Sequence, residues 1–382
     1  MKILLSRPHM SGHEMKYVEE AFASNWVAPL GPNVDAFEKE VGTYVDHDFQ
    51  LATSSGTAAL HLALLLLGIE RDDTVFCQSL TFVASVNPIR YVGAVPVFID
   101  SEEETWNMSP SALRKAMVQA ATKGKLPKAV IVVHLYGVVA KIGEIRQICQ
   151  EYGVPLVEDA AESLGATWKG QMTGTIGDLG FYSFNGNKII TTSGGGMLLV
   201  RSSKERQHGL KLATQARENA LHYEHEEVGY NYRLSNVSAG IGRGQLEVIE
   251  SRVQARRRVF ARYERLLRPL GVTYQQEIPY SRANRWLTAL QLNRSEFVTS
   301  REDLITRLAM NGIESRPVWK PMHLQPVYRD AEYVMVDGDD VSRRLFENGI
   351  CLPSGSDLTI GEQHQVIRAV LNAQGIVTEI TV

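Results

Sequence analysis

An α/β fold is what this sequence predicts: a large, mainly parallel sheet followed by a smaller C-terminal α+β domain. Three observations carry that reading. Between about residues 50 and 200, short apolar runs alternate with amphipathic stretches of helical period. The runs contain few alternating polar residues, as strands buried on both faces do. After residue 236 comes a long stretch rich in Arg and Glu, and beyond it the elements become shorter and more mixed.

The expected strands are 74–77, 95–99, 129–134, 155–158, 180–183 and 197–200, all rich in Val, Ile, Leu or Phe. Helical patterns at 110–122 and 143–152 lie between them, and Ser109 followed by Pro110 is a helix-start signal. Strand, helix and strand in succession call for parallel pairing with right-handed crossovers. Residues 236–270 read as one long helix that stops at Pro269 and Gly271 and bridges out of the large domain. The stretches 287–292, 301–310, 343–348 and 362–373 then build the smaller one. The chain divides into 1–250 and 251–382, in keeping with 382 residues and a prior of roughly 150 residues per domain.

Composition narrows the function. Hydrophobic residues make up 44% and charged residues 22%, and the formal net charge is −3. That balance gives no reason to expect nucleic acid or an anionic membrane as partner, so an anionic ligand needs a local site. Cys77, Cys149 and Cys351 stand far apart, with no CxxC and no Cys/His cluster, which argues against structural zinc and suits a reducing cytoplasm. No signal peptide is evident at the N-terminus, and the run 60–67 is too short to span a bilayer. His222 and His225 are spaced as a metal pair, yet no third ligand follows with suitable spacing, so no metal is expected.

Three segments bear on chemistry. The first, 53–60, is a polar turn with Ser55, Gly56 and Thr57 that opens a helix ending near Gly68. The open N–H groups of a first turn make a phosphate cradle, and the same residues also suit an ordinary Ser/Thr cap. In the second, 154–162, an apolar strand runs into Glu158, Asp159 and Glu162. Ligands sit at the carboxyl ends of open parallel sheets. Asp159 there suits a carboxylate that keeps a pyridine nitrogen protonated, and it equally suits a helix cap. In the third, 181–197, a strand ends in a turn holding Lys188, followed by β-branched residues and Gly194, Gly195 and Gly196. A lysine needs a partly dry position to act as a nucleophile through a Schiff base. Lys188 has apolar neighbours and no carboxylate adjacent in sequence.

Their order, cradle then acid then lysine, resembles the sugar aminotransferases of the DegT/DnrJ/EryC1/StrS family. The resemblance is carried by 55–59, Thr81-Phe82, His134-Leu135-Tyr136-Gly137, 158–161, Ser183 with Lys188, the glycine turn and 229–235, with a weaker match at 316–323. It implies the aspartate aminotransferase-like fold type I of pyridoxal 5′-phosphate enzymes. Lys188 would bind the cofactor and shuttle protons, Asp159 would pair with the pyridinium, and Phe82 would lie against the ring. Gly56, Thr57 and Ser183 would hold the phosphate. Glu162 would face the ring hydroxyl or the sugar. Asn231, and with it Arg233, would reach in from the neighbouring subunit of a homodimer with shared active sites. Trp319, Lys320 and His323 are expected substrate contacts, with packing as the alternative for Trp319 and His323.

Many members have Glu inside the glycine turn, where this chain reads Ser193-Gly194-Gly195-Gly196. The turn and the segments at 217–225 and 319–323 look most like enzymes that aminate C4 of a UDP-linked 4-keto-6-deoxy-N-acetylglucosamine, with L-glutamate as donor and bacillosamine-type glycan precursors as product. GDP- and dTDP-linked keto sugars remain alternative acceptors. A dehydratase of the same family has His where Lys188 stands. A regulatory protein that has kept the fold without catalysis is a rival of another class. A nicotinamide enzyme is disfavoured, because neither Gly174-x-x-Gly177-x-x-Gly180 nor Gly240-x-Gly242-x-Gly244 has the GxGxxG form.

Overall fold

A computed structural model describes residues 2–293, 295–336 and 338–376. The strands of its two main sheets are β1 (Gln50–Thr53), β2 (Thr74–Gln78), β3 (Val95–Ile99), β4 (Ala129–Val133), β5 (Leu156–Asp159), β6 (Leu179–Ser183), β7 (Gly196–Leu199), β8 (Val272–Tyr274), β9 (Thr288–Leu292), β10 (Arg316–Pro317), β11 (Tyr333–Val334) and β12 (Gly349–Leu352). The large sheet has the order β1-β7-β6-β5-β4-β2-β3-β11. From β6 through β11 every pairing is parallel.

The apolar runs lack alternation because both faces are buried. Val75, Cys77, Ile131 and Val157 face one core. Phe76, Val130, Val132 and Leu156, one residue out of step with them, face the other, as the two-residue period of a strand requires. The helix Pro110–Thr122 begins where expected, with Pro110 in its first turn and the Ser109 side chain accepting from the Ala112 N–H at 3.2 Å.

Two parts of the sheet differ from the sequence reading. The four-residue β1 was not anticipated; its pattern is too short to stand out. β7 runs antiparallel to both β6 and β1, because the turn at 184–195 folds straight back with Ser183 opposite Gly196 and Phe184 N–H bonded to Gly195 O at 2.9 Å. A tight reversal joins only antiparallel strands.

The single long helix expected at 236–270 is a helix pair, Asn236–Leu246 and Ile249–Leu267, with Val248 between them at φ −116°, ψ 8°. Each half serves a different core. The first lies against the helix Glu14–Ala23 so closely that a Cβ on Gly244 would sit 2.6 Å from Glu14 N. Glu247 turns aside to accept from Tyr17 Oη at 2.6 Å and to pair with His13. The second half packs Val259, Tyr263 and Leu267 onto the antiparallel sheet β8-β9-β12-β10. The glycine run of 240–244 is therefore a helix-packing surface.

The N-terminus and the C-terminal half interleave with these layers. Ile3 bridges to Ile313 and joins the core of the small sheet, while β11 returns to the edge of the large one. Among the described residues, no helix is long and apolar enough to cross a membrane.

Candidate active site

The carboxyl ends of β5 and β6, the start of the helix Gly56–Leu66 and the turn after β6 converge on a cleft of about 260 Å³. The cap reading of Ser55 holds, and it is compatible with the cradle. Its side chain caps the helix by accepting from the Ala58 N–H at 3.0 Å, and its carbonyl accepts from Ala59 at 3.1 Å. That leaves the Gly56 and Thr57 N–H groups without intrachain partners among the described residues, at the positive end of the helix dipole. Ser183 closes the cradle: a Cβ on Gly56 would meet the Ser183 Cβ at 3.0 Å. On the other side, a Cβ on Gly196 would lie 2.6 Å from Gly56 N.

Asp159 ends β5, and no helix follows it; the chain goes through turns to Thr167. The cap reading therefore gives way. The carboxylate is 5% exposed, accepting from Ser85 Oγ at 2.6 Å and from the Ala161 N–H at 3.1 Å. Thr81 Oγ1 stands 2.7 Å behind Ser85 Oγ. Burial pushes the carboxyl above its ordinary range, while the Ser85 and Ala161 donors and the Lys188 charge pull it down.

Its sequence neighbour Glu158 points the opposite way, as strand alternation demands. It accepts from the N–H groups of Gly174 (2.9 Å), Ile176 (2.6 Å) and Gly177 (2.5 Å), and from His134 Nε2 at 2.8 Å. His134 Nδ1 accepts from Ala140 N–H, so the imidazole is the tautomer with its proton on Nε2. Gly174 and Gly177 thus turn their N–H groups to a protein carboxylate.

Lys188 sits in the turn after β6 with its Nζ 3.7 Å from Glu162 Oε1 and 4.2 Å from the centre of the Trp286 ring. The sequence shows no carboxylate beside Lys188, and the fold supplies one. Glu162 is buried and takes the Tyr136 N–H at 2.6 Å. Burial raises its carboxyl, and Lys188 and the Tyr136 N–H offset this. Tyr136 makes that bond from a left-handed backbone at φ 56°.

Phe82 and Trp319 face each other over the cleft at 5.2 Å. Trp319 is anchored by its N–H to Tyr136 Oη at 2.9 Å. Among the described residues its buried Nε1–H meets no acceptor in hydrogen-bond geometry, though it is near enough to Glu162 to help hold that carboxyl down.

Lys320 and His323 are not brought into this cleft, and neither are Asn231 and Arg233, which were expected to reach a neighbouring subunit's site. Arg233 donates to Glu38 Oε1 at 2.6 Å and to Ala52 O at 3.0 Å, inside a buried network that Arg206 completes at 2.6 Å. The expected substrate contact is in this chain a brace under β1. Asn231 is exposed, paired by its backbone to Thr214. Lys320 is exposed on a second groove that meets the cleft at Phe82 and Trp319. His323 is taken up by Ser79 Oγ at 2.7 Å and Asp340 Oδ2 at 3.1 Å and stacks on Tyr333 at 3.8 Å. Both ring nitrogens are occupied, so its role is to tie 321–340 to the end of β2.

Sequence reasoning missed Ser85 and Trp286. Ser85 follows Phe82 by three residues, one helical turn, and that spacing is a usable signal. Trp286 lies 99 residues from the carbonyl it binds, and no local pattern points to it.

Comparison with known proteins places this geometry. Residues 8–371 match the model of the DegT/DnrJ/EryC1/StrS aminotransferase family. EpsN of Bacillus subtilis (strain 168), which carries the name of a pyridoxal phosphate-dependent aminotransferase, is 54% identical over 97% of this chain and 95% of its own length. The GDP-perosamine synthase of Caulobacter vibrioides is 35% identical over 96% and 97%. A crystal structure of a DegT DnrJ EryC1 StrS aminotransferase from Brucella abortus superposes with a TM-score of 0.88 at 28% identity, over 95% of this chain and 96% of that one. The chain belongs to the DegT/DnrJ/EryC1/StrS family of pyridoxal phosphate-dependent sugar aminotransferases.

Proposed function

We propose that this enzyme transfers the amino group of L-glutamate to C4 of a UDP-linked 2-acetamido-2,6-dideoxy-4-keto hexose. The observation that carries the chemistry is one cleft holding open N–H groups at a helix start, a buried carboxylate and a lysine amine.

The donor set fits the cofactor. Gly56, Thr57 and Ser183 offer N–H and O–H groups to a phosphate dianion. Asp159, too deeply buried to be comfortable as a lone anion, suits a pyridinium N–H. Phe82, on the wall of the cleft, would lie against the ring. Pyridoxal 5′-phosphate supplies a carbonyl that exchanges for an amino group and a ring that stores the electrons released when a C–H proton leaves.

The chain's own residues do the rest. Lys188 Nζ moves the proton between carbon positions. Glu162, 3.7 Å away, steadies the ammonium whenever Lys188 holds that proton. Trp286, Trp319 and Tyr136 wall off water on the side of the small sheet.

Among the described residues lining the cleft, Lys188 is the one cation, so the phosphate lacks a counter-charge from this chain. The exposed Leu221, Tyr223 and Val228 beside Asn231 support a homodimer in which the Asn231 amide reaches a second copy's site. Three buried, unpaired cysteines support a cytoplasmic setting.

The UDP-sugar assignment rests on the residue pattern of 186–197. The relatives named GDP-perosamine synthase favour a second reading, a GDP-linked 4-keto-6-deoxy hexose. Incubation with glutamate and UDP-, GDP- and dTDP-linked 4-keto sugars, with NMR of the product, separates the two. Turnover of the GDP sugar alone excludes the first. A holoenzyme whose cofactor borohydride does not fix onto Lys188 excludes both.

A further inference from the structure

The peptide carbonyl just before the reactive lysine is held from two distant parts of the chain. Asn187 O accepts from Trp286 Nε1 at 2.7 Å and from Ser6 Oγ at 2.8 Å. The same indole lies under the Lys188 amine at 4.2 Å, so one side chain grips the backbone of Lys188 and covers its reactive end.

Trp286 is itself fixed at every point. Its N–H donates to Asn284 Oδ1 at 2.9 Å, and Asn284 Nδ2 donates to Glu162 O at 3.0 Å. Its ring stacks on Tyr136 at 6.3 Å. Its carbonyl accepts from Arg256 Nη1 at 2.5 Å. Arg256 is 1% exposed and has no carboxylate within ion-pair distance among the described residues. It instead spends its donors on Trp286 O, on Ser354 O at 3.1 Å and on Ser6 Oγ at 3.0 Å. A guanidinium buried without a counter-ion is costly, and burial lowers this one to about 10. What it obtains is the joining of the N-terminal segment, the long helix and the small sheet at the one carbonyl that sets where Lys188 begins.

We propose that Trp286 is the positioning residue for Lys188, holding the Asn187 carbonyl through its indole N–H, with Arg256 and Ser6 locking that arrangement. This rests on the reading of Lys188 as the group that captures the cofactor. The role is to aim the amine, and it leaves the phosphate cradle and Asp159 untouched.

The test separates aiming from binding. In the capture step the Lys188 amine condenses with the aldehyde, a C=N bond replaces C=O, and water leaves. Pyridoxamine 5′-phosphate has no aldehyde and binds without that step. Stopped-flow absorbance on the full-length apoenzyme gives the capture rate of pyridoxal 5′-phosphate, and fluorescence titration gives the affinity for pyridoxamine 5′-phosphate. Trp286→Phe keeps a ring under the amine and removes the N–H. Capture should slow by about three- to tenfold, the worth of one hydrogen bond, with the pyridoxamine form bound within about twofold of wild type. Unchanged capture, or an equal loss of both, overturns the proposal. Ser6→Ala removes the other donor to the same carbonyl from a half-exposed site and carries the same test, with the same two readings, where Trp286→Phe does not fold. Absence of capture by the wild-type chain is a different result, which refutes the proposed function itself.

Discussion

Ser85→Ala is the perturbation whose consequence follows most directly from the geometry. Ser85 is buried and donates to Asp159 Oδ2 at 2.6 Å. Burial pushes the Asp159 carboxyl up, and the Ser85 donor is the first of the groups that pull it down. Hydrogen bonds to charged groups are worth about 1.5–3 kcal/mol, and 1.36 kcal/mol is one pKa unit. Removing Ser85 Oγ should therefore take about 1.5–3 kcal/mol of support from the charged form and push the Asp159 carboxyl further up.

The sign then follows. Only the carboxylate form pairs with a pyridinium, so affinity for pyridoxamine 5′-phosphate falls on the acid side as Asp159 takes up a proton. In Ser85→Ala that acid limb moves to higher pH, while affinity well above it changes little. Calorimetric titration of the apoenzyme from acid to mildly alkaline pH reads the limb directly. A limb that stays in place, or an affinity reduced equally at every pH, would refute the view that Ser85 acts through the charge state of Asp159.

Two further predictions concern stability. Gly137 has φ 84°, and a Cβ there would lie 1.7 Å from Asn284 Oδ1, so Gly137→Ala must expel the amide that ties Glu162 O, Leu164 O and the Trp286 N–H together. Left-handed strain of about 1–3 kcal/mol adds to two or three lost hydrogen bonds of about 1 kcal/mol each, and thermal denaturation should show a large drop in Tm. A wild-type Tm would mean that Asn284 is dispensable. Arg233→Met deprives buried Glu38 of one of its two cations and should cost about 1.5–3 kcal/mol. Were Arg233 a contact to its own chain's substrate, the folded variant would instead show a raised KM while keeping wild-type resistance to urea.

Legibility followed sequence distance. The Pro110–Thr122 helix was readable because its cap, Ser109, precedes Pro110 directly. The strands of the large sheet were readable because burial on both faces leaves uninterrupted apolar runs. β7's direction was not, since an apolar run does not encode which way its neighbour points. The break at Val248 hid within a continuous Arg- and Glu-rich pattern, because it depends on where Tyr17 and His13 meet Glu247. His323 suited a substrate contact in sequence, yet its partner Ser79 lies 244 residues away.

By itself the sequence determined the parallel core and the three groups the proposed chemistry uses: a helix start, an acid at a strand end and a lysine in the turn after the next strand. These are local features, written in the order of neighbouring side chains. Tertiary structure decided what surrounds each of them. It set Glu162 against Lys188, Ser85 against Asp159 across 74 residues and Trp286 against Asn187 across 99. It also turned Arg233 inward to Glu38. Charge state and aim depend on distances of a few ångströms between residues remote in sequence, and only the closed fold sets those.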